Sequence, residues 1–148
     1  VFITEGLLRH LKGEAEVAAV LGHEIAHVIA RHSSERLAKQ QLTQGLVSAV
    51  VLGTGDYSAG QIGQVVGGMI NMKYGRDDEL ESDRLGLRIM AEAGYDPRAM
   101  VRVMEVLASA SGGSRQPEFF STHPAPEDRA ARIREEIAKL QAGNYERR

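Results

Sequence analysis

Apolar residues recur along this chain mostly at helical spacing. Val1, Phe2, Ile3 and Thr4 are the exception: β-branched or aromatic, they predict one short strand at the start. From Gly13 to about Gln44 the chain is rich in Glu, Ala, Leu and Lys and free of Pro, which predicts one long helix. The stretch from Gly53 to Gly68 is loose and glycine-rich. A second helix is predicted from about Gln61 to Ala93, stopped at Gly94, and Pro97 opens a third that runs to about Ala110. Ser111-Gly112-Gly113-Ser114 breaks it. A loop through Thr122-His123-Pro124-Ala125-Pro126 follows, then an amphipathic helix over about Glu127 to Ala142. The pattern predicts a mainly α (α+β) fold with at most a small sheet edge, in a single domain over residues 1–148. The opening reads as the middle or end of a strand, so an upstream part of the domain is expected to be missing.

Composition narrows the function classes. A chain of 148 residues can bury a core of its own. Its 18 basic and 20 acidic residues are interspersed, giving a formal charge of -2 and no electrostatic reason to expect nucleic acid as a partner. The Arg-rich C-terminal third alternates with Glu and Asp and reads as solvated helix surface. There is no cysteine, so disulfides and thiolate metal sites are excluded, and any metal must sit on His and carboxylates. The longest apolar run, Gly45 to Gly53, is far short of the roughly 20 residues of a membrane-spanning helix.

The chemistry is concentrated in Leu21-Gly22-His23-Glu24-Ile25-Ala26-His27, an HExxH string inside a helical stretch. In a helix His27 lies about 40° round from His23 and one turn along, so both imidazoles leave one face. That geometry suits two ligands of one zinc ion. Glu24 is offset from both, too far to join them but placed to reach a water that the metal acidifies. With five His and 14 Glu in the chain, random placement yields the string with a probability of roughly 2%.

A third ligand is still required. Glu79-Leu80-Glu81-Ser82-Asp83 offers Glu79 and Asp83, four apart on one helix face, with Glu81 turned away. Either carboxylate could bind the metal while the other supports a ligand ring, and spacing alone does not choose between them. His32 is about 180° round from His23 on a regular helix, which points to packing or capping rather than the same ion. His10 precedes the helix. His123, in its Pro-bearing loop, is open to three roles: oxyanion donor, occupant of the fourth zinc position, or surface residue. The glycine-rich stretch suits a flap or a close helix crossing through Gly60, Gly63 and Gly67. Met69, Met72, Met90, Met100 and Met104 fall at apolar helix positions and are expected in the core.

These strings together resemble the metallopeptidase family of the heat-shock protease HtpX, the CAAX prenyl protease and the periplasmic BepA-like proteases. FITEGLL, LGHEIAHVIARH, ELESDRLG, AGYDPRAM and STHPAPEDR carry the likeness over nearly the whole chain, and THPxPxxR points to the soluble, BepA-like branch. That family is a gluzincin, whose third ligand is a Glu in an ExxxD motif. The resemblance therefore implies one zinc on His23, His27 and Glu79, Glu24 as general base, and Asp83 as supporting carboxylate. It implies that His123 can approach the zinc and regulate access. It further implies a zinc endopeptidase acting on misfolded or misassembled cell-envelope proteins, in the periplasm or envelope of a bacterium. The alternative is a latent zinc-binding chaperone or assembly factor with His123 blocking the metal.

Overall fold

In the computed structural model, the extended opening of the chain ends at Thr4, whose Oγ1 accepts a hydrogen bond from the Leu7 amide at 3.3 Å. The structure describes residues 1–55, 58, 63, 75–111, 123 and 128–143. Among these, all regular structure is helical, and the short N-terminal strand expected from Val1 to Thr4 does not form. The physical reason is local: the described residues offer no strand to pair with, and Thr4 is committed to capping α1 (Glu5–Leu8).

The long helix expected from Gly13 to Gln44 is two helices. The first, α2 (Glu14–Ile29), begins with Glu14 and Glu16, whose charges suit the positive end of the helix dipole. Buried Glu16 accepts from the Lys12 amide at 2.6 Å and faces Arg102 Nε at 3.4 Å. The break falls at Arg31, which adopts φ 60° and ψ 25°, and α3 (His32–Thr54) leaves in a new direction. Apart from His32, no residue of α3 is buried.

The Gly75 amide donates to Asp78 Oδ2 at 3.1 Å, fixing the start of α4 (Arg76–Glu92). The expected beginning at Gln61 lies outside the described residues. Gly94, at φ +85°, stops the chain after α4 as expected: the Tyr95 amide turns back to Met90 O at 2.9 Å. Past Pro97 comes α5 (Arg98–Ser111), and α6 (Arg129–Gln141) closes the described chain.

Helices α2, α4, α5 and α6 share one core built on Val20, Leu87, Met90, Met100, Leu107 and Ile133. Met90 and Met100 are core residues and Met104 packs against them, as expected; Met69 and Met72 lie outside the described residues. The closest helix pair is α2 with α4, and it crosses at Gly22 and Gly86. Among the described residues no helix is long and apolar enough to cross a membrane.

Candidate metal centre

One helical turn separates His23 from His27 on the buried face of α2, and their Nε2 atoms stand 3.1 Å apart. Crossing beneath them, α4 supplies a carboxylate from its own buried face. Glu79, 0% exposed, places Oε1 at 3.3 Å from His27 Nε2 and Oε2 at 3.5 Å from His23 Nε2. One turn further along α4, Asp83 Oδ1 lies 3.0 Å from His23 Nδ1, the side of that ring turned away from Glu79. The face shared by Glu79 and Asp83 thus divides between the two edges of a single imidazole.

His123 completes the cluster and is no surface residue. It is 5% exposed, with Nδ1 at 2.9 Å from Glu79 Oε1 and 3.4 Å from His23 Nε2. Its other nitrogen, Nε2, lies 3.2 Å from Glu24 Oε1. Glu24 is the most open member, its side chain 23% exposed beside donors that are almost wholly buried. The structure therefore brings His23, Glu24, His27, Glu79, Asp83 and His123 into one constellation. His10 stays outside it, exposed after α1.

The donor atoms suit a cation. One atom each from His23, His27, Glu79 and His123 falls within 4.8 Å of all the others. Donors about 2.0–2.1 Å from a tetrahedral zinc ion lie roughly 3.3–3.4 Å from one another, close to the spacings above. Glu79 Oε2 is a second indication. It is buried without a hydrogen-bond partner, although Arg129 Nη1 stands 2.8 Å away, close enough for charge attraction but misaligned for a hydrogen bond. Two buried carboxylates, Glu79 and Asp83, face one guanidinium. With neutral imidazoles the cluster therefore carries uncompensated negative charge.

In the metal-free chain, burial and neighbouring charge shift the ionisation of these groups. Burial works against the ionised Glu79, yet the hydrogen bond with His123, the close His23 and His27 rings and the charge of Arg129 hold its pKa far below the usual carboxylate range. Burial likewise opposes ionised Asp83, and the His23 contact and Arg129 outweigh it, again lowering the pKa. His23 is raised despite its burial, because Asp83 and Glu79 both bind its protonated form. His27 is lowered, chiefly by burial and then by the neighbouring charge on His23.

Arg129 is the residue that sequence reading placed wrongly. The Arg-rich C-terminal third was expected to be solvated surface, but Arg129 is 2% exposed. It donates from Nε to Asp83 Oδ2 at 2.5 Å and from Nη2 to Asp83 Oδ1 at 2.7 Å. Its place six residues after His123, at the end of THPxPxxR, was the available signal. His32 departs from expectation too. The break at Arg31 turns its ring back, so that it lies against His27 at 2.9 Å instead of on the far side of the helix.

A helix-borne HExxH whose imidazoles meet a buried carboxylate from a second helix defines a metallopeptidase of the helical, HExxH class. Comparison with known proteins gives the family: the pattern of peptidase family M48 matches residues 1–137, and the chain belongs to that family. It is 34% identical over 146 residues to the beta-barrel assembly-enhancing protease of Escherichia coli (strain K12), covering 90% of this chain and 30% of that protein. Mitochondrial metalloendopeptidase OMA1 of Arabidopsis thaliana is 34% identical over 131 residues, 88% of this chain and 26% of that protein. Metalloprotease YcaL of Escherichia coli (strain K12) is 34% identical over 137 residues, 88% of this chain and 52% of that protein. The chain thus spans between about a quarter and a half of these relatives.

Proposed function

We propose that this chain carries the catalytic centre of a zinc-dependent endopeptidase, with His23, His27 and Glu79 as protein ligands and Glu24 as general base. The observation that supports it most directly is the meeting of two Nε2 atoms and one buried carboxylate from a separate helix. When bound, zinc supplies Lewis-acid polarisation of a scissile carbonyl and lowers the pKa of water toward about 7. Glu24 takes the proton of the attacking water at a carboxylate oxygen and later delivers it to the leaving amine. Asp83 accepts from His23 Nδ1, which keeps Nε2 of that ring free as a donor to the metal. Arg129 fixes Asp83 through two nitrogens and balances part of the carboxylate charge.

A second reading is favoured by His123. Its Nδ1 stands among the donors and its Nε2 faces Glu24, so it takes the space that water and substrate need. In that reading the chain is a latent zinc-binding chaperone or assembly factor, closed by His123 in the fourth position. As an oxyanion donor, by contrast, His123 would have to move off the ligand cluster first.

For substrates we propose misfolded or misassembled proteins of the bacterial cell envelope, met in the periplasm. The support is the likeness to the soluble branch carried by THPxPxxR, and a relative whose name concerns β-barrel assembly. Another relative is named as mitochondrial, so fractionation of the native host decides this part. The mechanism is tested on the purified protein. We expect one zinc per chain by elemental analysis, and a Glu24→Gln variant that keeps its zinc but no longer cleaves casein. Undiminished cleavage by that variant, or cleavage insensitive to chelators, rules the mechanism out.

A further inference from the structure

If α2 ran on without a break, His32 would lie on the opposite side from His23. Arg31 prevents this. It is the one non-glycine residue with positive φ among the described residues, a strained conformation that persists where surrounding structure imposes it. The consequence is that His32, 3% exposed, folds back under α2 as the only buried residue of α3. Its ring meets that of His27 edge to face, centroids 4.9 Å apart. His32 Nδ1 lies 2.9 Å from His27 Nδ1, and Ser82 Oγ lies 3.2 Å from the same His32 nitrogen. On its outer edge, His32 Nε2 is 3.4 Å from Oε2 of Glu81, a half-exposed carboxylate.

We propose that His32 is a positioning residue for the metal centre: its Nδ1 accepts the Nδ1 proton of His27, holding that ring with Nε2 turned to the metal. The inference rests on the metal-centre reading above. Two ring nitrogens 2.9 Å apart share one proton, and its place is dictated from the metal side. A metal on His27 Nε2 requires the proton on Nδ1, so the facing nitrogen of His32 is an acceptor. His32 then carries its own proton on Nε2, where Glu81 accepts it. The opposite arrangement, with the proton on His32 Nδ1, moves the His27 proton to Nε2 and blocks the ligand position. Each ligand ring is thus held from behind: His23 by the carboxylate of Asp83, His27 by an imidazole that is itself backed by a carboxylate. The strained turn at Arg31 is what brings the second support into place.

The test is zinc affinity of the chain, measured by chelator competition, for wild type, His32→Asn, His32→Leu and Glu81→Gln. Asn and Leu have nearly the same size and branching, but only Asn offers an acceptor near the Nδ1 position. We expect His32→Leu to weaken zinc binding about 10–100-fold and His32→Asn to recover most of the loss. Glu81→Gln should fall between wild type and His32→Leu. Leu binding as tightly as wild type, or Asn no better than Leu, overturns the proposal. Should His32→Leu fail to fold, zinc-loaded wild type with 15N-labelled histidine answers the question. A coupling between the Nδ1 nitrogens of His27 and His32 across the shared proton supports it; a His27 proton on Nε2, or no coupling, overturns it. A wild-type chain that binds no zinc removes the metal-centre reading itself, whereas equal affinities among zinc-binding variants remove only the role of His32.

Discussion

A Cβ placed on Gly86 would stand 2.9 Å from the backbone nitrogen of His23. Seen from the other helix, a Cβ on Gly22 would stand 3.0 Å from Gly86 O. The two helices that carry the site therefore touch backbone to backbone at one glycine pair. His23 directly follows Gly22, and Asp83 and Glu79 precede Gly86 by three and seven residues, on the same face of α4. The close crossing is what lets short carboxylate side chains reach both edges of the His23 ring.

Gly86→Ala is accordingly expected to destabilise the fold by about 1–3 kcal/mol, because the obstacle is backbone that has no rotamer to yield. Zinc affinity should fall with it as Glu79 is pushed away from the imidazoles. Gly45→Ala is the control: it lies in α3 with open space around its Cβ position, and replacing it should stabilise by up to about 1 kcal/mol. Urea unfolding and chelator competition on the two variants measure both effects. A Gly86→Ala protein with wild-type stability and affinity would show that the crossing is not what sets the site.

Arg129→Leu removes the guanidinium from between two buried carboxylates. Breaking a buried charge pair in this way costs about 3–5 kcal/mol, and we expect a loss of that order in the metal-free protein. Zinc should restore part of it, since a cation beside Glu79 supplies the missing positive charge. Arg129→Lys is not expected to rescue, because Asp83 is held through two nitrogens of one planar fork. Denaturant unfolding with and without zinc decides; equal losses in both conditions would mean that Arg129 and the metal do not share the same carboxylates.

Much of this site was legible because helices convert spacing into direction. His23, His27, Glu79 and Asp83 follow from the four-residue turn, and the structure brings all four together. What spacing could not supply was anything across a break in the helix. His32 was assigned to the far face because nothing in Arg31 announces a left-handed residue, a conformation that Gly or Asn would have signalled. Arg129 was hidden differently: among alternating Arg and Glu, one buried guanidinium looks like its solvated neighbours until its partners are known. The strand expected at Val1–Thr4 failed for a third reason, since β propensity cannot act without a neighbouring strand to pair with. Of the glycines at which the sequence suggests a flap or a close helix crossing, Gly60 and Gly67 lie outside the described residues, while Gly63 does come close to α3, where a Cβ would stand 2.9 Å from Val47 Cγ2; the crossing that shapes the site lies at Gly22 and Gly86.

The depressed carboxylates predict an acid limb in stability. Glu79 and Asp83 have folded pKa values below their ordinary 4.5 and 3.8, so the stability they confer is present above those values and fades as pH falls below them. His23 is raised above 6.5, so its contribution is complete below that value and is lost as pH rises through the folded pKa. His27, lowered from 6.5, contributes in the opposite sense: its share is complete above 6.5 and is lost as pH falls toward its folded pKa, so it adds to the loss on the acid side. The clear signature is therefore at low pH. Metal-free protein should lose stability steeply below about pH 4.5, and Asp83→Asn should flatten that limb while lowering stability at neutral pH. Urea midpoints across pH 3 to 7 test it, and an unchanged limb in Asp83→Asn would assign the acid loss to other groups.

His123→Ala separates the two functional readings. The ring contacts Glu79 with one nitrogen and Glu24 with the other, so it ties the proposed base to a proposed ligand and fills the space between them. Removing it frees the Glu24 carboxylate and opens the cluster toward Glu24, without replacing His23, His27 or Glu79. If the closed arrangement holds nine-tenths or more of the population, casein cleavage should rise about tenfold or more while the zinc content stays at one per chain. A fall of about a hundredfold at unchanged zinc content would instead make His123 a donor to the reacting oxygen, displaced from the cluster during turnover. His123→Asn sharpens the distinction. It keeps a hydrogen-bond donor but is a poor metal ligand, so it should behave like Ala if His123 closes the site and retain substantial activity if His123 is a donor.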